Sequence, residues 1–227
     1  MSGTLSLVAT PIGNLGDITL RGLETLREAD LIACEDTRHT ANLLRHYDIR
    51  KPLLSLHEHN EQSRIASILE KLELGSHIAL VSDAGSPLIS DPGFRLVRAV
   101  REAGHHLESL PGPCAAINAL LLSGLPTDSF YFVGFLPPKS AARLRRFEEL
   151  VDFPATLIFY ESPHRIRKFL AEAYRVFGPR RFAIAREMTK KFEEIYHGHL
   201  TPKAEELALR SWKGEFVVLV AARSTGL

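Results

Sequence analysis

Cysteine is scarce in this sequence, whose 227 residues include only Cys34 and Cys114. Two cysteines are too few for a disulfide framework, and neither stands among other cysteines or histidines at metal-ligand spacing. Both lie in apolar runs, which favours small buried side chains in a reducing compartment. We therefore expect a chain that needs neither a disulfide nor a metal ion.

Long apolar runs and an excess of one charge are also missing. No basic leader with a long apolar stretch precedes the first predicted strand, which disfavours secretion and membrane insertion. We expect a cytoplasmic protein with no membrane partner. Its 28 Lys and Arg residues nearly balance 27 Asp and Glu residues, for a net charge of +1, which neither requires nor excludes nucleic acid.

Three familiar motifs are absent from the chain. It contains no Gly-x-Gly-x-x-Gly opening a helix, no Gly-x-x-x-x-Gly-Lys-Ser/Thr and no Gly-x-Ser-x-Gly. These absences argue against a dinucleotide dehydrogenase, a P-loop NTPase and a serine hydrolase, in that order.

Strand and helix patterns alternate along the chain. Short apolar runs at 5–9, 31–34, 53–56, 78–81 and 107–110 predict buried strands separated by helices. Such spacing implies right-handed crossovers and a mainly parallel sheet. Asp91-Pro92 has the pattern of a helix start, and further helices are predicted at 115–122, 140–150 and 202–209. After a turn-rich stretch at 124–128, strands are denser, with one predicted at 130–135 and an exposed antiparallel strand at 192–199. We therefore predict an α/β protein of two domains, 1–123 with a mainly parallel sheet and 124–227 with a mixed sheet.

Four unusual loops follow predicted strands of the first domain. They are Ala9–Asn14, Cys34–Arg38, Ser82–Gly93 and Pro111–Ala115. In open α/β sheets, ligands bind outside the carboxyl ends of the strands, and glycine lets the backbone approach a ligand closely. Any one of these loops alone is an ordinary turn, but four at one sheet edge predict a binding site.

Eight motifs occur in order and cover nearly the whole chain. They are Thr10–Leu15, Cys34–Arg38, Ser55–Glu61, Ser82–Gly93, Pro111–Pro113, Glu161–Arg165, Arg186–Lys190 and Lys213–Val217. Together they resemble the bacterial 16S rRNA (cytidine-2′-O)-methyltransferases of the tetrapyrrole methylase superfamily. The resemblance implies two α/β domains of the tetrapyrrole methylase type with S-adenosyl-L-methionine in the interdomain cleft. It also implies a homodimer whose substrate is 16S rRNA within the small ribosomal subunit.

The resemblance further implies which residues bind the cofactor. Ala84–Pro87 matches the Gly-Gly-Asp-Pro loop of tetrapyrrole relatives, with Ser86 in the place of Asp. We expect the backbone of Ala84, Gly85 and Ser86 to hold the cofactor while Asp83 shapes the turn. The other implied cofactor residues are Pro11, Ile89, Pro111, Cys114, Ala115, Tyr160, Glu161, Glu187 and Met188.

Catalysis requires help for a poor nucleophile, the ribose 2′-hydroxyl, as its proton leaves. We hypothesise that Asp36 or His57 assists and that Arg38 orients the RNA backbone. The alternative is that these side chains only hydrogen-bond the loops together.

Basic residues cluster in the second half of the chain. Arg143, Arg146, Arg165 and Lys190 are our predicted RNA phosphate contacts, although a solvated helix face explains any one cluster equally well. Two other functions fit the same motifs. One is methylation of a tetrapyrrole or another small acceptor, and the other is a non-catalytic RNA-binding assembly factor.

Overall fold

The computed structural model describes residues 3–203 and 207–223. Its contacts divide the chain into two compact units, Met1–Cys114 and Ala115–Leu227. Each unit contains one five-stranded sheet together with helices. The α/β class predicted from the alternation of patterns is thereby confirmed.

The sheet of the first unit is entirely parallel. Its strands are β1 (Thr4–Val8), β2 (Leu31–Cys34), β3 (Leu53–Ser55), β4 (His77–Val81) and β5 (His106–Leu110), in the order β3-β2-β4-β1-β5. Parallel pairing places all five carboxyl ends at one edge of the sheet. The loops that follow the strands therefore share this edge.

Helices connect these strands and cover both sheet faces with apolar residues. They are α1 (Leu20–Glu28), α2 (Thr37–His46), α3 (Glu61–Glu73) and α4 (Phe94–Glu102), with a short 3-10 helix at Leu15–Asp17. On one face Leu26 packs with Ile32 of β2, and on the other Ile68 packs with Leu96. Thr19 caps the start of α1, its hydroxyl accepting a hydrogen bond from the Gly22 N–H at 3.0 Å.

The start of α4 differs from the sequence prediction. Asp91-Pro92 has the pattern of a helix cap, but α4 begins at Phe94 after Gly93, whose φ of +125° favours glycine. A remote residue caps the helix instead, because Oε1 of Glu61 accepts a hydrogen bond from the Leu96 N–H at 3.0 Å. Asp91 is thus left without the capping role that its position predicts.

The second unit has a mixed sheet, as predicted. Its elements are α5 (Ala115–Leu122), β6 (Phe130–Phe135), α6 (Ser140–Leu150), β7 (Thr156–Glu161), α7 (Ile166–Phe177), β8 (Arg181–Arg186), β9 (Glu194–His199) and β10 (Phe216–Val220). The order is β6-β7-β10-β8-β9, with β6 parallel to β7 and the other pairs antiparallel. Edge-to-face contacts of Phe147 with Phe159 and Phe169, at ring distances of 5.9 and 5.1 Å, lie in its core.

Two sequence predictions differ from these boundaries. The division of the chain precedes α5, whereas the predicted domain boundary at 123/124 follows it, because α5 contacts β7, β8 and β10. The strand predicted at 192–199 begins only at Glu194, so Phe192 lies in the preceding loop. A helix predicted at 202–209 includes residues 204–206, which lie outside the described residues. Within the described ranges, no helix has the length and apolar character needed to cross a membrane.

Candidate functional site

Hydrogen bonds join the loops after β1, β4 and β5 at the carboxyl edge of the first sheet. The Thr10 N–H donates to the Gly85 carbonyl at 2.9 Å, and the Gly85 N–H donates to the Thr10 carbonyl at 3.0 Å. The Thr10 hydroxyl donates to the Ser82 carbonyl at 3.0 Å. The Ser86 hydroxyl donates to the Pro113 carbonyl at 3.0 Å. The three loops therefore form one fixed surface.

Two glycines allow the loops to approach so closely. Gly85 has a φ of +87°, and a Cβ there would lie 3.3 Å from Cγ2 of Ile12. At Gly112 a Cβ would lie 2.7 Å from the Cβ of Ala9, closer than real contacts allow. Glycine is thus required by backbone conformation at one position and by space at the other.

Hydrogen bonds within the protein already use some of the groups predicted to hold a cofactor. Besides the two bonds with Thr10, the Gly85 carbonyl accepts a hydrogen bond from the Ser82 hydroxyl at 2.9 Å, so Gly85 joins the loops. The Ser86 hydroxyl is also committed to the Pro113 carbonyl. Ala84, by contrast, makes no hydrogen bond with any residue that the structure describes. The Ser86 carbonyl accepts from the Ile89 N–H at 3.4 Å. Among the described residues, Ala84 is therefore the member of this trio with both its backbone N–H and its C=O unused.

The rest of the loop after β4 is strained. Leu88 and Ser90 have φ values of +70° and +67°, which cost residues other than glycine about 1–3 kcal/mol each. Leu88 packs against the apolar cluster below the loop. Ile89, between them, is 39% exposed. The strain therefore presents an apolar side chain at a position predicted to contact the cofactor.

Asp36 and Arg38 form an exposed ion pair beside β2. Asp36 caps α2, its Oδ1 accepting from the Arg38 N–H at 2.8 Å, while its Oδ2 lies 3.1 Å from Nη2 of Arg38. These hydrogen bonds from Arg38 lower the pKa of Asp36 to about 2. The Arg38 side chain is 90% exposed. The ion pair thus keeps the Arg38 guanidinium exposed to solvent. Because its pKa is low, the Asp36 carboxylate is a weak base.

His57 is held in place by Asn60. The Asn60 Oδ1 accepts from the His57 N–H at 2.8 Å, and its Nδ2 donates to the Ser55 carbonyl at 3.1 Å. These contacts fix the orientation of the amide, so Nδ2 also donates to Nε2 of His57, 3.1 Å away. The neutral ring then carries its proton on Nδ1, which is buried without a partner among the described residues. The imidazole of His57 is therefore held in position, and its Nε2 already accepts a hydrogen bond from Asn60.

Carboxyl groups of the loops after β2 and β4 interact at the same edge, and Asp91 is one that the sequence did not indicate as a site residue. Oδ1 of Asp83 accepts from the Asp36 N–H at 3.1 Å and so ties the loop after β4 to β2. Burial raises the pKa of Asp91 to about 6, with smaller contributions from the charges of Glu35 and Asp83. Burial and the charge of Asp83 also raise the pKa of Glu35. Asp91 was overlooked because its Asp-Pro context is typical of a helix cap.

An open groove of about 540 Å³ lies among the polar side chains that follow β2, β3 and β4. Its lining residues are Glu35, Asp36, Thr37, Arg38, Ser55, His57, His59 and Asp83. It contains all three predicted catalytic residues and one predicted cofactor residue. Among the described residues, no three His, Cys, Asp or Glu side chains are arranged to hold a metal ion.

Three further predicted cofactor residues belong to the first unit. Pro11 is half-buried in the loop after β1, Pro111 is exposed after β5, and Cys114 is half-buried. Cys34, in contrast, is fully buried in β2. Ala115 opens α5 and belongs to the second unit.

In the second unit, Tyr160 and Glu161 end β7. The Tyr160 hydroxyl accepts a hydrogen bond from the Ala116 N–H at 3.2 Å, so it lies beside the start of α5. Glu161 is 2% exposed, and its Oε1 accepts from the Ser162 N–H and from Nε of Arg165, both at 2.7 Å. Its Oε2 is buried and has no partner among the described residues. This oxygen is an acceptor that a ligand donor would satisfy.

Glu187 and Met188 follow β8. Glu187 has a φ of +50°, and its Oε1 accepts from the Glu215 N–H and from Nζ of Lys190, both at 3.0 Å. Met188 is buried. A Cβ at Gly214 would lie 2.6 Å from the Glu187 side chain, so the two segments are tightly packed.

Arg143, one of the predicted RNA contacts, requires a correction. Its side chain is 1% exposed, and Nε donates to Oε2 of Glu172 at 2.5 Å. Nη1 donates to the carbonyls of Pro137 and Pro138 at 3.2 Å. The guanidinium therefore makes its hydrogen bonds inside the unit and cannot bind a phosphate at the surface.

The other three predicted RNA contacts are partly exposed but already paired. Arg146 bonds to Glu149 at 2.6 Å, and Arg165 to Glu161 at 2.7 Å. Lys190 bonds to Glu187 and to Glu215, both at 3.0 Å. Each cation is thus neutralised by a neighbour, which weakens its attraction for RNA.

Comparisons with known proteins agree with the resemblance seen in the motifs. Residues 4–203 match the family model of the tetrapyrrole (corrin/porphyrin) methylases. The ribosomal RNA small subunit methyltransferase I of Haemophilus influenzae is 52% identical over 98% of this chain and 80% of its own length. The protein of that name from Escherichia coli O157:H7 is 51% identical over 96% of this chain and 77% of its own length.

A solved structure shares the fold. Uroporphyrin-III-C-methyltransferase from Thermus thermophilus aligns with a TM-score of 0.63 at 22% identity, over 96% of this chain and 94% of its own. At this identity the alignment is informative about architecture alone.

Proposed function

The chain belongs to the tetrapyrrole (corrin/porphyrin) methylases, and on that basis we propose that it is an S-adenosyl-L-methionine-dependent methyltransferase of small-subunit ribosomal RNA. The acceptor that we propose is the 2′-hydroxyl of a cytidine ribose in 16S rRNA. The names of the relatives support ribosomal RNA as the substrate. The resemblance of the motifs implies that the methylated group is the ribose 2′-hydroxyl.

The fixed surface formed by the loops after β1, β4 and β5 carries the proposal. When bound, S-adenosyl-L-methionine supplies a methyl group made electrophilic by a sulfonium. The unused backbone N–H and C=O of Ala84 suit the polar groups of a nucleoside, and exposed Ile89 suits an apolar surface. From the second unit we propose Tyr160, Glu161, Glu187 and Met188, with Oε2 of Glu161 as the acceptor available to a donor.

Methylation of a hydroxyl releases a proton, and the side chains in and beside the groove differ in their ability to take it. Asp91 does not line the groove, but it lies close enough to Glu35 and Asp83 for their charges to act on it. Asp36 is a weak base, because Arg38 lowers its pKa to about 2. His57 already uses Nε2 with Asn60. Asp91, whose pKa burial raises to about 6, is closer to the value that general-base catalysis favours at neutral pH. We propose that a carboxylate oxygen of Asp91 receives the proton.

The residues at the groove then have positioning roles. Asp36 holds Arg38, whose 90% exposed guanidinium suits an RNA phosphate. Asn60 holds His57 at the rim of the groove. Asp83 ties the loop after β4 to β2 through the Asp36 N–H. These contacts fix the geometry on which an in-line methyl transfer depends.

The test is incubation of the protein with methyl-labelled S-adenosyl-L-methionine and small ribosomal subunits from a strain that lacks the modification. We expect the label on one cytidine ribose, detected as a 16S rRNA linkage that resists alkaline cleavage. Label on an added tetrapyrrole but not on the RNA would favour the small-acceptor alternative. Cofactor and subunit binding without transfer would favour a non-catalytic assembly factor.

A further inference from the structure

A rigid loop after β8 presents an aromatic ring and a cation to solvent. The loop, residues 187–193, places Phe192 63% exposed and Lys191 exposed beside it. Nζ of Lys191 lies 5.7 Å from the centre of the Phe192 ring. The sequence predicts Phe192 as the first residue of an exposed antiparallel strand, but the strand starts two residues later.

Backbone hydrogen bonds fix the shape of this loop. The Glu187 N–H donates to the Glu215 carbonyl at 3.0 Å and anchors the loop to the segment before β10. Two turns follow, in which the Lys190 N–H donates to the Glu187 carbonyl at 3.0 Å and the Glu193 N–H to the Lys190 carbonyl at 3.1 Å. Glu187 and Thr189 adopt positive φ values of +50° and +64°. These hydrogen bonds thus fix the loop in a shape that exposes the Phe192 ring to solvent.

The base of the loop is held by a buried arginine. Nη1 of Arg186 donates to the Phe192 carbonyl at 3.0 Å and lies 3.2 Å from Oε2 of Glu194. Its Nε donates to the Lys213 carbonyl at 2.8 Å. Because Arg186 is buried, these bonds fix the backbone of Phe192 from within the unit.

The charges of the loop leave one cation facing outward. Lys190 is neutralised by Glu187 and Glu215. The carboxylate of Glu193 turns back to accept the Thr189 N–H at 2.5 Å. Lys191 has no ion-pair partner among the described residues, and its Nζ lies over the Phe192 ring. An exposed aromatic face beside an unneutralised lysine is complementary to a nucleobase joined to a phosphate.

We propose that Phe192 and Lys191 form a stacking platform for single-stranded RNA, with an unpaired base on the Phe192 ring and the adjacent phosphate on Lys191. Single-stranded RNA is recognised largely through unstacked bases placed on aromatic side chains. Preorganisation of the loop reduces the entropy lost on binding. This inference rests on the proposed RNA methyltransferase function. It assigns the RNA contact in this loop to Lys191 and Phe192, whereas the sequence predicted Lys190.

The test uses the full chain and a short single-stranded oligoribonucleotide that carries 2-aminopurine, whose fluorescence falls on stacking. We expect Phe192→Ala to weaken binding about 5- to 150-fold and to abolish the quenching, and Phe192→Trp to restore both. Lys191→Ala should lower the slope of log affinity against log salt by about 0.7, as for one phosphate on a single strand. Phe130→Ala, a matched change of an exposed ring on β6, should bind RNA like the wild type.

The outcomes separate this inference from the proposed function. If Phe192→Ala binds and quenches like the wild type while the wild type methylates small subunits, the platform is wrong and the function stands. If the wild type neither binds RNA nor methylates subunits, the function is wrong and the platform with it. If Phe192→Ala leaves RNA affinity intact but lowers the mass measured by light scattering, the ring contacts a second copy of the chain, which also overturns the platform.

Discussion

The backbones of Thr10 and Gly85 exchange two hydrogen bonds, of 2.9 and 3.0 Å, across the carboxyl edge of the first sheet. This bridge joins the loops after β1 and β4, which are 75 positions apart in the chain. Because both backbone groups of Gly85 are used in the bridge, we propose that its part in cofactor binding is to set the position of Ala84 and Ser86. The bridge makes Gly85 a sensitive test of the proposed site.

Gly85→Ala is expected to weaken cofactor binding about tenfold, a cost of about 1.4 kcal/mol. The added Cβ would lie 3.3 Å from Ile12, and the φ of +87° would strain any side chain. Titration calorimetry with S-adenosyl-L-methionine measures the affinity. Gly104→Ala is the matched control, since Gly104 has a φ of +77° but no neighbour within 4 Å. Both variants should lose about 1 kcal/mol of stability, and equal cofactor affinity in the two would contradict the site.

Asp91→Asn is expected to slow methyl transfer about 100-fold or more, the usual contribution of a general base. In the wild type, the rate should rise with pH around a pKa of about 6, and the variant should lose this inflection. Asp36→Asn should lower the rate yet keep the inflection, because the pKa of Asp36 is already about 2. An inflection near pH 6 that survives in Asp91→Asn would exclude Asp91 as the proton acceptor.

The same carboxyl predicts how stability depends on pH. Between about pH 4 and 6 an unfolded Asp91 ionises while the folded one keeps its proton, since burial raises its pKa from 3.8 to about 6. Its contribution to stability therefore falls as pH rises through this window and stays lost above it. Asn does not ionise, so Asp91→Asn should be more stable than the wild type at pH 7 by about 1 kcal/mol, allowing for solvent screening. Urea unfolding at pH 4 and pH 7 measures the difference, which should vanish at pH 4.

Arg143→Ala is expected to cost about 3–5 kcal/mol of unfolding free energy, because it leaves Glu172 buried without its partner. Arg145→Ala, the neighbouring exposed residue, should change stability by less than about 0.5 kcal/mol. Chemical denaturation measures both. At a temperature where both variants are folded, the salt dependence of RNA binding should be unchanged by Arg143→Ala. A flatter salt dependence in that variant would restore Arg143 as a phosphate contact.

Much of the fold was predictable because its signals are local. Helices α5 and α6 and strands β2 and β6 begin and end where the periodicity predicts. The loops at the carboxyl edge were also predictable, since parallel strands bring them together whatever their side chains do. The roles of Asp91 and Phe192 were not predictable, because a helix-cap pattern and a strand-like pattern are each compatible with several tertiary environments.

The amino-acid sequence by itself determined the alternation of strands and helices, the parallel character of the first sheet and the ordered motifs that identify the family. Those features depend on periodicity and residue type over short stretches. Only the tertiary structure decided which polar groups form hydrogen bonds within the protein and are therefore not available to a ligand. Gly85 bonds to Thr10, Arg143 to Glu172, and Glu61 caps α4 at Leu96. Each partner is remote in the chain, and a hydrogen bond between remote residues depends on how the elements pack, which short-range patterns do not encode.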